Sequence, residues 1–334
     1  MEMEDVIKAK NWIHDAEKIV IIGHKSPDGD SVGSSLGLFN TLKKFKESVA
    51  VCMPDPYPGF LRWMQGTDII KNHEQHQKDV GELMEKADLI FCLDFNSESR
   101  VGKMENLLKN AKAKKIMIDH HQDPTDFADL IFSFPNECST SQLIYKFLRK
   151  ADLLSHLDAQ AGACLYCGIM TDTGSFKFPN TSPETHRIIA DLMEIGVDHY
   201  KIHEAVFDQN TEDKLRLRSW IISNSLKVLD EYKTAIIAVS QNDLERFNYE
   251  KGDTEGLVNV ALSLGKVNRS VFFTEEDGLI KISFRSKGIE NPVNIIASKY
   301  FDGGGHINAA GGKFVGSLDK AVEKFVTVLP EFVN

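Results

Sequence analysis

The chain has 334 residues, of which 42% are hydrophobic and 26% are charged, and its formal net charge is −10. This length is typical of two domains of ordinary size. The acidic balance argues against a protein that coats long duplex nucleic acid, because such binding needs many Lys and Arg contacts with phosphates. A short anionic substrate is compatible with this net charge, because a small ligand responds to the charge of its binding site rather than to that of the whole surface.

Five cysteines at irregular spacings predict no disulfide framework. The closest pair, Cys164 and Cys167, lies in an apolar helical stretch and is interpreted as buried thiols rather than as a zinc or redox site. The N-terminus lacks the pattern of a signal peptide, and no apolar run reaches the length of a membrane span. These features predict a cytoplasmic protein without membrane contact.

Alternating strands and helices are predicted in the first half of the chain. Apolar runs predict buried strands at 18–23, 48–53, 87–94, 113–121 and 129–134. Helical spacing is found at 31–45, 78–86, 139–151, 156–170, 183–195 and 198–207. Ser31 is the expected N-cap of the first of these helices. The β-α-β order predicts an α/β fold with a doubly wound parallel sheet.

The pattern changes near residues 210–230, where 211–229 are predicted to form one helix. Strands are predicted at 232–240, 268–276 and 278–286, the last two joined by a hairpin turn at Glu276-Asp277-Gly278. Helices fit 253–264, 292–300 and 318–328, and a glycine-rich loop fits 301–312. We therefore expect a larger domain at 1–195, a helical linker at 196–230 and a smaller α+β domain at 231–334.

Carboxylates and histidines follow several of the predicted strands. The loop after the first strand carries His24, Asp28 and Asp30, although Asp, Gly, Pro and Ser also favour an ordinary turn. The same combination recurs, with Asp94 after the third strand, Asp119-His120-His121 after the fourth, and Asp172 at the end of an apolar helix. Such crowded carboxylates repel one another and need cations. Mixed imidazole and carboxylate ligands suit manganese, iron or zinc, and less readily magnesium alone.

The segments HKSPDGDSVGS, LDF, DHH and MTDTGSF resemble the four motifs of the DHH phosphoesterase family. The resemblance implies two divalent metal ions, expected to be Mn²⁺ with Mg²⁺ or Co²⁺ as alternatives. The implied ligands of one metal are His24, Asp28 and Asp94. Those of the other are Asp30, Asp94, His120 and Asp172, so that Asp94 bridges. The resemblance also implies that His121 faces the scissile phosphate and that Asp119 orients a histidine.

The smaller domain contains a second candidate site, formed by Arg285, Ser286, Gly303, Gly304, Gly305 and His306. Arginine can clamp a phosphate, and glycines let backbone N–H groups approach one. A flexible loop and a solvated arginine are the alternatives from the residues alone. Both segments resemble the DHH-associated domain of a family branch that includes RecJ-like exonucleases and NrnA-type nanoRNases. The resemblance implies a role in substrate recognition.

Three further groups of residues have alternative interpretations. Arg100 is either a cleft residue or a solvated charge at the start of a helix. Ser139, Thr140 and Ser141 are interpreted as caps of the helix at 139–151. The aromatic side chains Phe176 and Phe178 are interpreted as core residues rather than as a stacking surface for a base.

The resemblance implies a metal-dependent hydrolase that cuts short single-stranded oligonucleotides into nucleoside 5′-monophosphates. Removal of the 3′-phosphate of 3′-phosphoadenosine 5′-phosphate is a second implied activity. Alternatives are a linear or cyclic dinucleotide phosphodiesterase, a pyrophosphatase or exopolyphosphatase, and a non-catalytic nucleotide sensor. The sequence predicts neither the direction of degradation nor the oligomeric state, and a homodimer is one option.

Overall fold

The computed structural model describes residues 1–250, 252–276 and 278–332. The chain divides into two compact units, a first unit Met1–Gln209 and a second unit from Asn210 onward. The division falls inside the segment 196–230 that the sequence predicts as a linker. The helices of that segment lie within one unit or the other.

A six-stranded parallel sheet forms the centre of the first unit. Its strands are β1 (Lys18–Ile22), β2 (Ser48–Met53), β3 (Lys71–Asn72), β4 (Leu89–Leu93), β5 (Lys114–Asp119) and β6 (Leu130–Ser133). They lie in the order β3-β2-β1-β4-β5-β6 and all pair in parallel. The predicted doubly wound fold is confirmed. The strand order reverses between β1 and β4, which creates the crevice where such sheets bind ligands.

Helices cover both faces of this sheet. They are α1 (Met3–Asp15), α2 (Gly29–Leu42), α3 (Gln77–Lys86), α4 (Glu105–Asn110), α5 (Thr140–Lys150), α6 (Ala159–Asp172), α7 (Pro183–Glu194) and α8 (His199–Phe207). In β1, Ile19 and Ile21 join the core under α1, α2, α5 and α6, while Val20 and Ile22 join the core under α3 and α4. Burial on both faces explains why the strands are continuous apolar runs.

Helix α2 begins earlier than the sequence predicts, and its N-cap is Asp28 rather than Ser31. One carboxylate oxygen of Asp28 accepts the N–H groups of Asp30 and Ser31, each at 3.0 Å. The Ser31 hydroxyl accepts the N–H of His24 at 3.2 Å instead. Asp30 consequently lies in the first turn of a helix, where its backbone is fixed, rather than in a loop.

The second unit is built on a mixed sheet. Its strands are β7 (Leu226–Leu229), β8 (Thr234–Val239), β9 (Arg269–Glu276), β10 (Leu279–Ser286), β11 (Gly304–His306) and β12 (Ala309–Val315). Its helices are α9 (Glu212–Ser225), α10 (Gln241–Glu245), α11 (Leu257–Leu262), α12 (Asn294–Tyr300) and α13 (Leu318–Val328). The strand order is β11-β12-β10-β9-β8-β7, and only β8 and β9 pair in parallel among these neighbours.

Three predicted elements of the second unit are corrected. The helix predicted at 211–229 ends at Ser225, because the last four residues pair with β8. A short apolar run suits a helix or a strand equally, so tertiary pairing decides. The helix predicted at 253–264 spans only Leu257–Leu262, and the predicted loop at 301–312 contains the paired strands β11 and β12. Asp277 of the predicted hairpin turn lies outside the described residues.

The five cysteines are free and buried, as expected for thiols that serve as core residues. Burial raises the pKa of Cys164 to about 12, so this thiol stays protonated at neutral pH. Within the part of the chain that the structure describes, no helix has both the length and the apolar character needed to cross a membrane.

Candidate active site

The sheet brings the predicted metal ligands to one edge. His24 follows β1, Asp94 follows β4, and Asp119 ends β5, directly before His120 and His121. Because β1, β4 and β5 are neighbours and parallel, their carboxyl ends meet. These residues therefore lie at the crevice where the strand order reverses.

Two helices complete the cluster. Helix α2 contributes its N-cap Asp28 and Asp30 in its first turn, and α6 contributes its last residue, Asp172. Asp28 thus serves as an ordinary cap and also lies next to the histidine after β1. The structure brings together all six residues that the sequence predicts as metal ligands.

The first group of candidate ligands is His24, Asp28 and Asp94, whose donor atoms lie within 4.8 Å of one another. The Nε2 atom of His24 lies 3.3 Å from Oδ2 of Asp94 and 3.7 Å from Oδ1 of Asp28. One nitrogen and carboxylate oxygens converging at these distances form a donor set that suits a first-row divalent cation.

The second group contains Asp30, His120 and Asp172, again within 4.8 Å. The Nε2 atom of His120 lies 3.4 Å from Oδ2 of Asp172, 3.9 Å from Oδ2 of Asp30 and 3.5 Å from Oδ1 of Asp94. Asp94 therefore presents Oδ1 to this group and Oδ2 to the first. This arrangement fits a carboxylate shared by two cations.

The two histidines are oriented through their other ring nitrogen. Nδ1 of His24 lies 2.8 Å from the carbonyl oxygen of Lys25, and Nδ1 of His120 lies 3.3 Å from that of Glu137. With a proton on Nδ1, each ring would donate to its carbonyl oxygen, and Nε2 would be the candidate metal-binding nitrogen. This is the outer contact that metal-binding histidines usually make.

His121 has a different environment. Its Nδ1 lies 2.7 Å from Oδ1 of Asp119, and its backbone N–H donates to Oδ2 of the same carboxylate at 3.1 Å. Nδ1 of His121 is also 3.8 Å from Oδ1 of Asp94, which makes a third group with His120. Both contacts with Asp119 fix the orientation of the His121 ring.

The charge balance of the cluster favours cations. Among residues 1–209, all of which the structure describes, no lysine or arginine forms an ion pair with Asp28, Asp30, Asp94 or Asp172. Burial and the charges of Asp94 and Asp172 raise the pKa of Asp30 well above its usual range. Burial and the charges of Asp28 and Asp94 do the same for the pKa of Asp172. For Asp94, burial alone would raise the pKa, but the hydrogen bond from His24 and the nearby histidines lower it.

Metal-free protein should lose stability as the pH rises. Burial lowers the pKa of His24 and His120, but their carboxylate neighbours outweigh it and raise both values above 6.5. Like Asp30 and Asp172, these histidines bind protons more tightly in the folded state. The resulting stabilisation is complete below the pKa of the unfolded state and is lost as the pH rises through the pKa of the folded state. We expect a lower Tm at about pH 8 than at about pH 6 in EDTA.

Adding Mn²⁺ should largely remove this pH dependence, because cations replace the protons in the cluster. Differential scanning calorimetry with EDTA or with Mn²⁺ at both pH values is the measurement. A metal-free Tm that is constant or higher at the upper pH would contradict the prediction.

The sequence did not predict that Thr140 and Ser141 contact Asp30. Only Ser139 is a cap of α5, accepting the N–H of Gln142 at 3.0 Å. The N–H groups of Thr140 and Ser141 donate to Asp30 instead. A polar run at a helix start predicts caps and carries no signal for a carboxylate that lies more than a hundred residues away.

Arg100 lies on a short turn after β4, with an exposed side chain. Its carbonyl oxygen accepts the N–H of Lys25 at 2.7 Å, which joins the loops after β1 and β4. The backbone of Arg100 thus supports the crevice next to His24.

In the second unit, one row across the sheet brings the predicted recognition residues together. Arg285 on β10 pairs with Ala309 on β12, and Ala309 pairs in turn with His306 on β11. Paired residues point to the same face of a sheet, so Arg285 and His306 flank the small Ala309 side chain. Ser286 points to the opposite face, is buried, and accepts the Asn308 amide N–H at 2.8 Å.

The three glycines before His306 have different environments. A Cβ on Gly303 would lie 2.0 Å from the carbonyl oxygen of Gly311, so close strand packing requires this glycine. Gly305 has a φ of +139° and also faces the β12 backbone. A Cβ on Gly304 would have no atom within 4 Å. Of the three, Gly304 alone leaves open space for a ligand, while the other two are explained by the hairpin.

A doubly wound sheet with two groups of carboxylate and imidazole ligands that share one aspartate defines a class of metal-dependent hydrolases. Residues 18–169 match the model of the DHH family, N-terminal domain. The chain belongs to the DHH family and is a hydrolase that acts on phosphoester bonds.

Similar proteins cover nearly the whole chain. The bifunctional oligoribonuclease and PAP phosphatase NrnA of Bacillus subtilis is 30% identical over 91% of this chain and 91% of its own length. The protein of the same description from Thermus thermophilus is 30% identical over 94% of this chain and 89% of its own length. A solved structure of an exopolyphosphatase-related protein from Bacteroides fragilis is 38% identical, with a TM-score of 0.96, and covers 99% of this chain and 97% of its own.

Proposed function

We propose that the chain hydrolyses short single-stranded oligonucleotides to nucleoside 5′-monophosphates with two divalent cations, manganese being the first candidate. The observation that carries this proposal is the sharing of Asp94 between two groups of ligand atoms. His24 and Asp28 would complete the first group, and Asp30, His120 and Asp172 the second. Two bound cations would neutralise charge on the phosphate oxygens and lower the pKa of water.

The chain's own residues would orient the substrate around this centre. His121 would act on the scissile phosphate as a hydrogen-bond donor or acid, with Asp119 holding its ring at Nδ1. Asp119 is buried and would fix the ring, which makes it a positioning residue.

The second unit is proposed to recognise the nucleotide. Arg285 and His306 would bind a terminal phosphate through charge-assisted hydrogen bonds, with the open backbone at Gly304 beside them. The names of the two NrnA relatives support oligonucleotides, and they also support 3′-phosphoadenosine 5′-phosphate as a second substrate. Ser286 is buried on the other face, so its proposed role is to hold the β10 end through Asn308.

A substrate panel tests the function. We would compare a 5′-phosphorylated dinucleotide, 3′-phosphoadenosine 5′-phosphate, a cyclic dinucleotide and pyrophosphate, each with Mn²⁺ and with Mg²⁺. The expected result is the highest kcat/KM for the linear dinucleotide with Mn²⁺. A preference for pyrophosphate would favour the exopolyphosphatase-like alternative, which the similar Bacteroides fragilis protein suggests.

Arg285→Ala should mainly weaken substrate binding. A hydrogen bond to a charged group contributes about 1.5–3 kcal/mol, so KM for the dinucleotide should rise about 10- to 100-fold with little change in kcat. Steady-state kinetics measures this split. Arg216→Ala is the matched control, because Arg216 is an exposed arginine of the same unit that pairs with Glu212. An unchanged KM in Arg285→Ala would remove Arg285 from the recognition site.

A further inference from the structure

The N-terminus of α5 holds the Asp30 carboxylate from both sides. The N–H of Thr140 donates to Oδ2 of Asp30 at 2.6 Å, and the N–H of Ser141 donates to Oδ1 at 2.8 Å. These are among the N–H groups that a helix start leaves without internal partners, and they carry the positive end of the helix dipole. Asp30 is 1% exposed, so the two bonds define its orientation without competition from water.

The Thr140 side chain reaches a second carboxylate. Its hydroxyl lies 2.9 Å from Oδ1 of Asp94. An ionised carboxylate can only accept, so the hydroxyl donates. Thr140 is fully buried and Asp94 is 1% exposed. One residue therefore binds Asp30 through its backbone and Asp94 through its side chain.

The contact is asymmetric with respect to the two ligand groups. Oδ1 of Asp94 is the oxygen near Nε2 of His120, at 3.5 Å, whereas Oδ2 is near Nε2 of His24, at 3.3 Å. Thr140 thus contacts the half of Asp94 that faces the second group, and Asp30 belongs to that group as well. Two like-charged carboxylates would separate without such bonds.

We propose that Thr140 is a positioning residue that sets the relative orientation of Asp30 and Asp94 and thereby the affinity of the second group for its divalent cation. The inference rests on the proposed ligand roles of these two aspartates. Loss of an outer contact of this kind typically costs about 10- to 100-fold in metal affinity. The first group keeps its own contacts and should be affected little.

Thr140→Val tests the hydroxyl alone, because valine has nearly the same shape and keeps the N–H that binds Asp30. Calorimetric titration of the metal-free protein with Mn²⁺ should show two binding events in the parent chain. In Thr140→Val one event should weaken about 10- to 100-fold and the other should change little. Thr140→Ser retains the hydroxyl and should restore both affinities.

Thr41→Val is the matched control. Thr41 is also fully buried, and its hydroxyl donates to the carbonyl oxygen of Gly37 within α2, remote from the carboxylates. It should bind both Mn²⁺ ions like the parent. If Thr140→Val does not fold, as judged by circular dichroism in EDTA, Thr140→Ala provides the same removal of the hydroxyl with less crowding.

Two results would overturn the inference: parent-like affinities in a folded variant without the hydroxyl, or equal weakening of both events. Failure of the proposed function has a different signature. If Asp94→Asn itself binds two Mn²⁺ ions like the parent, the assigned ligands are wrong, and the proposed role of Thr140 is refuted as well. If Asp94→Asn loses both ions while Thr140→Val keeps both, only the positioning role is wrong.

Discussion

Asp94→Asn is expected to lower kcat for phosphoester hydrolysis by at least about 10³-fold and to abolish binding of both metal ions. Asp94 has one carboxylate oxygen near His24 and the other near His120, so a single substitution affects both ligand groups. Asparagine keeps the shape but removes the charge, and its amide nitrogen cannot replace a ligand oxygen. No other candidate ligand belongs to both groups in the predicted set.

Substitution of aspartates that belong to only one of the two candidate ligand groups makes this prediction specific. Asp28→Asn should disturb only the first group and Asp172→Asn only the second, so each should retain one Mn²⁺ ion by elemental analysis. Asp126→Asn is a control for the charge change, because Asp126 is exposed on the loop before β6. Retention of two Mn²⁺ ions by Asp94→Asn would refute the shared carboxylate.

Gly33→Ala is expected to reduce both stability and turnover. A Cβ at Gly33 in α2 would lie 2.5 Å from the carbonyl oxygen of Cys164 and 3.0 Å from the nitrogen of Gly168, both in α6. Because these are backbone atoms, the clash is relieved only if the helices separate. Overpacking of this kind costs about 1–3 kcal/mol in the free energy of unfolding.

The functional loss follows from what the two helices carry. Asp30 lies on α2 and Asp172 lies on α6, so a shift of one helix changes the separation of two candidate ligands of the second group. A displacement of about 1 Å can reduce a rate about 100-fold. We therefore expect about that loss in kcat, together with weaker binding of one Mn²⁺ ion.

Two glycine controls separate site geometry from general destabilisation. A Cβ at Gly37, one turn further along α2, would meet the flexible end of Leu165, so Gly37→Ala should cost stability with a smaller loss of turnover. A Cβ at Gly81 in α3 would meet no atom within 4 Å, and Gly81→Ala should be neutral or stabilise by about 0.5–1 kcal/mol. Urea unfolding and steady-state kinetics give both quantities. Parent-like values in Gly33→Ala would show that the helices tolerate separation.

The backbone conformation of Asp94 could not be predicted from the sequence. Asp94 has a positive φ of 65°, which turns the chain sharply after β4, and its N–H donates to the carbonyl oxygen of Ile118. Aspartate tolerates this region better than most residues, and such backbone conformations concentrate at functional sites. The sequence shows an aspartate after a strand, but it does not show which of its oxygens faces which neighbour.

The sequence alone predicts five of the six strands of the parallel sheet, all but the two-residue β3, and the residue types at the strand ends. Both are local properties, since a buried strand is a short apolar run and its end is the next polar residue. Only the tertiary structure shows the close helix contact at Gly33 and the two bonds of Thr140, whereas the cap at Asp28 and the hairpin in the glycine-rich segment are local contacts that the sequence analysis did not predict. Thr140 and Asp30 are 110 residues apart in the chain. Contacts of that kind depend on how finished elements pack, and no spacing within one segment encodes them.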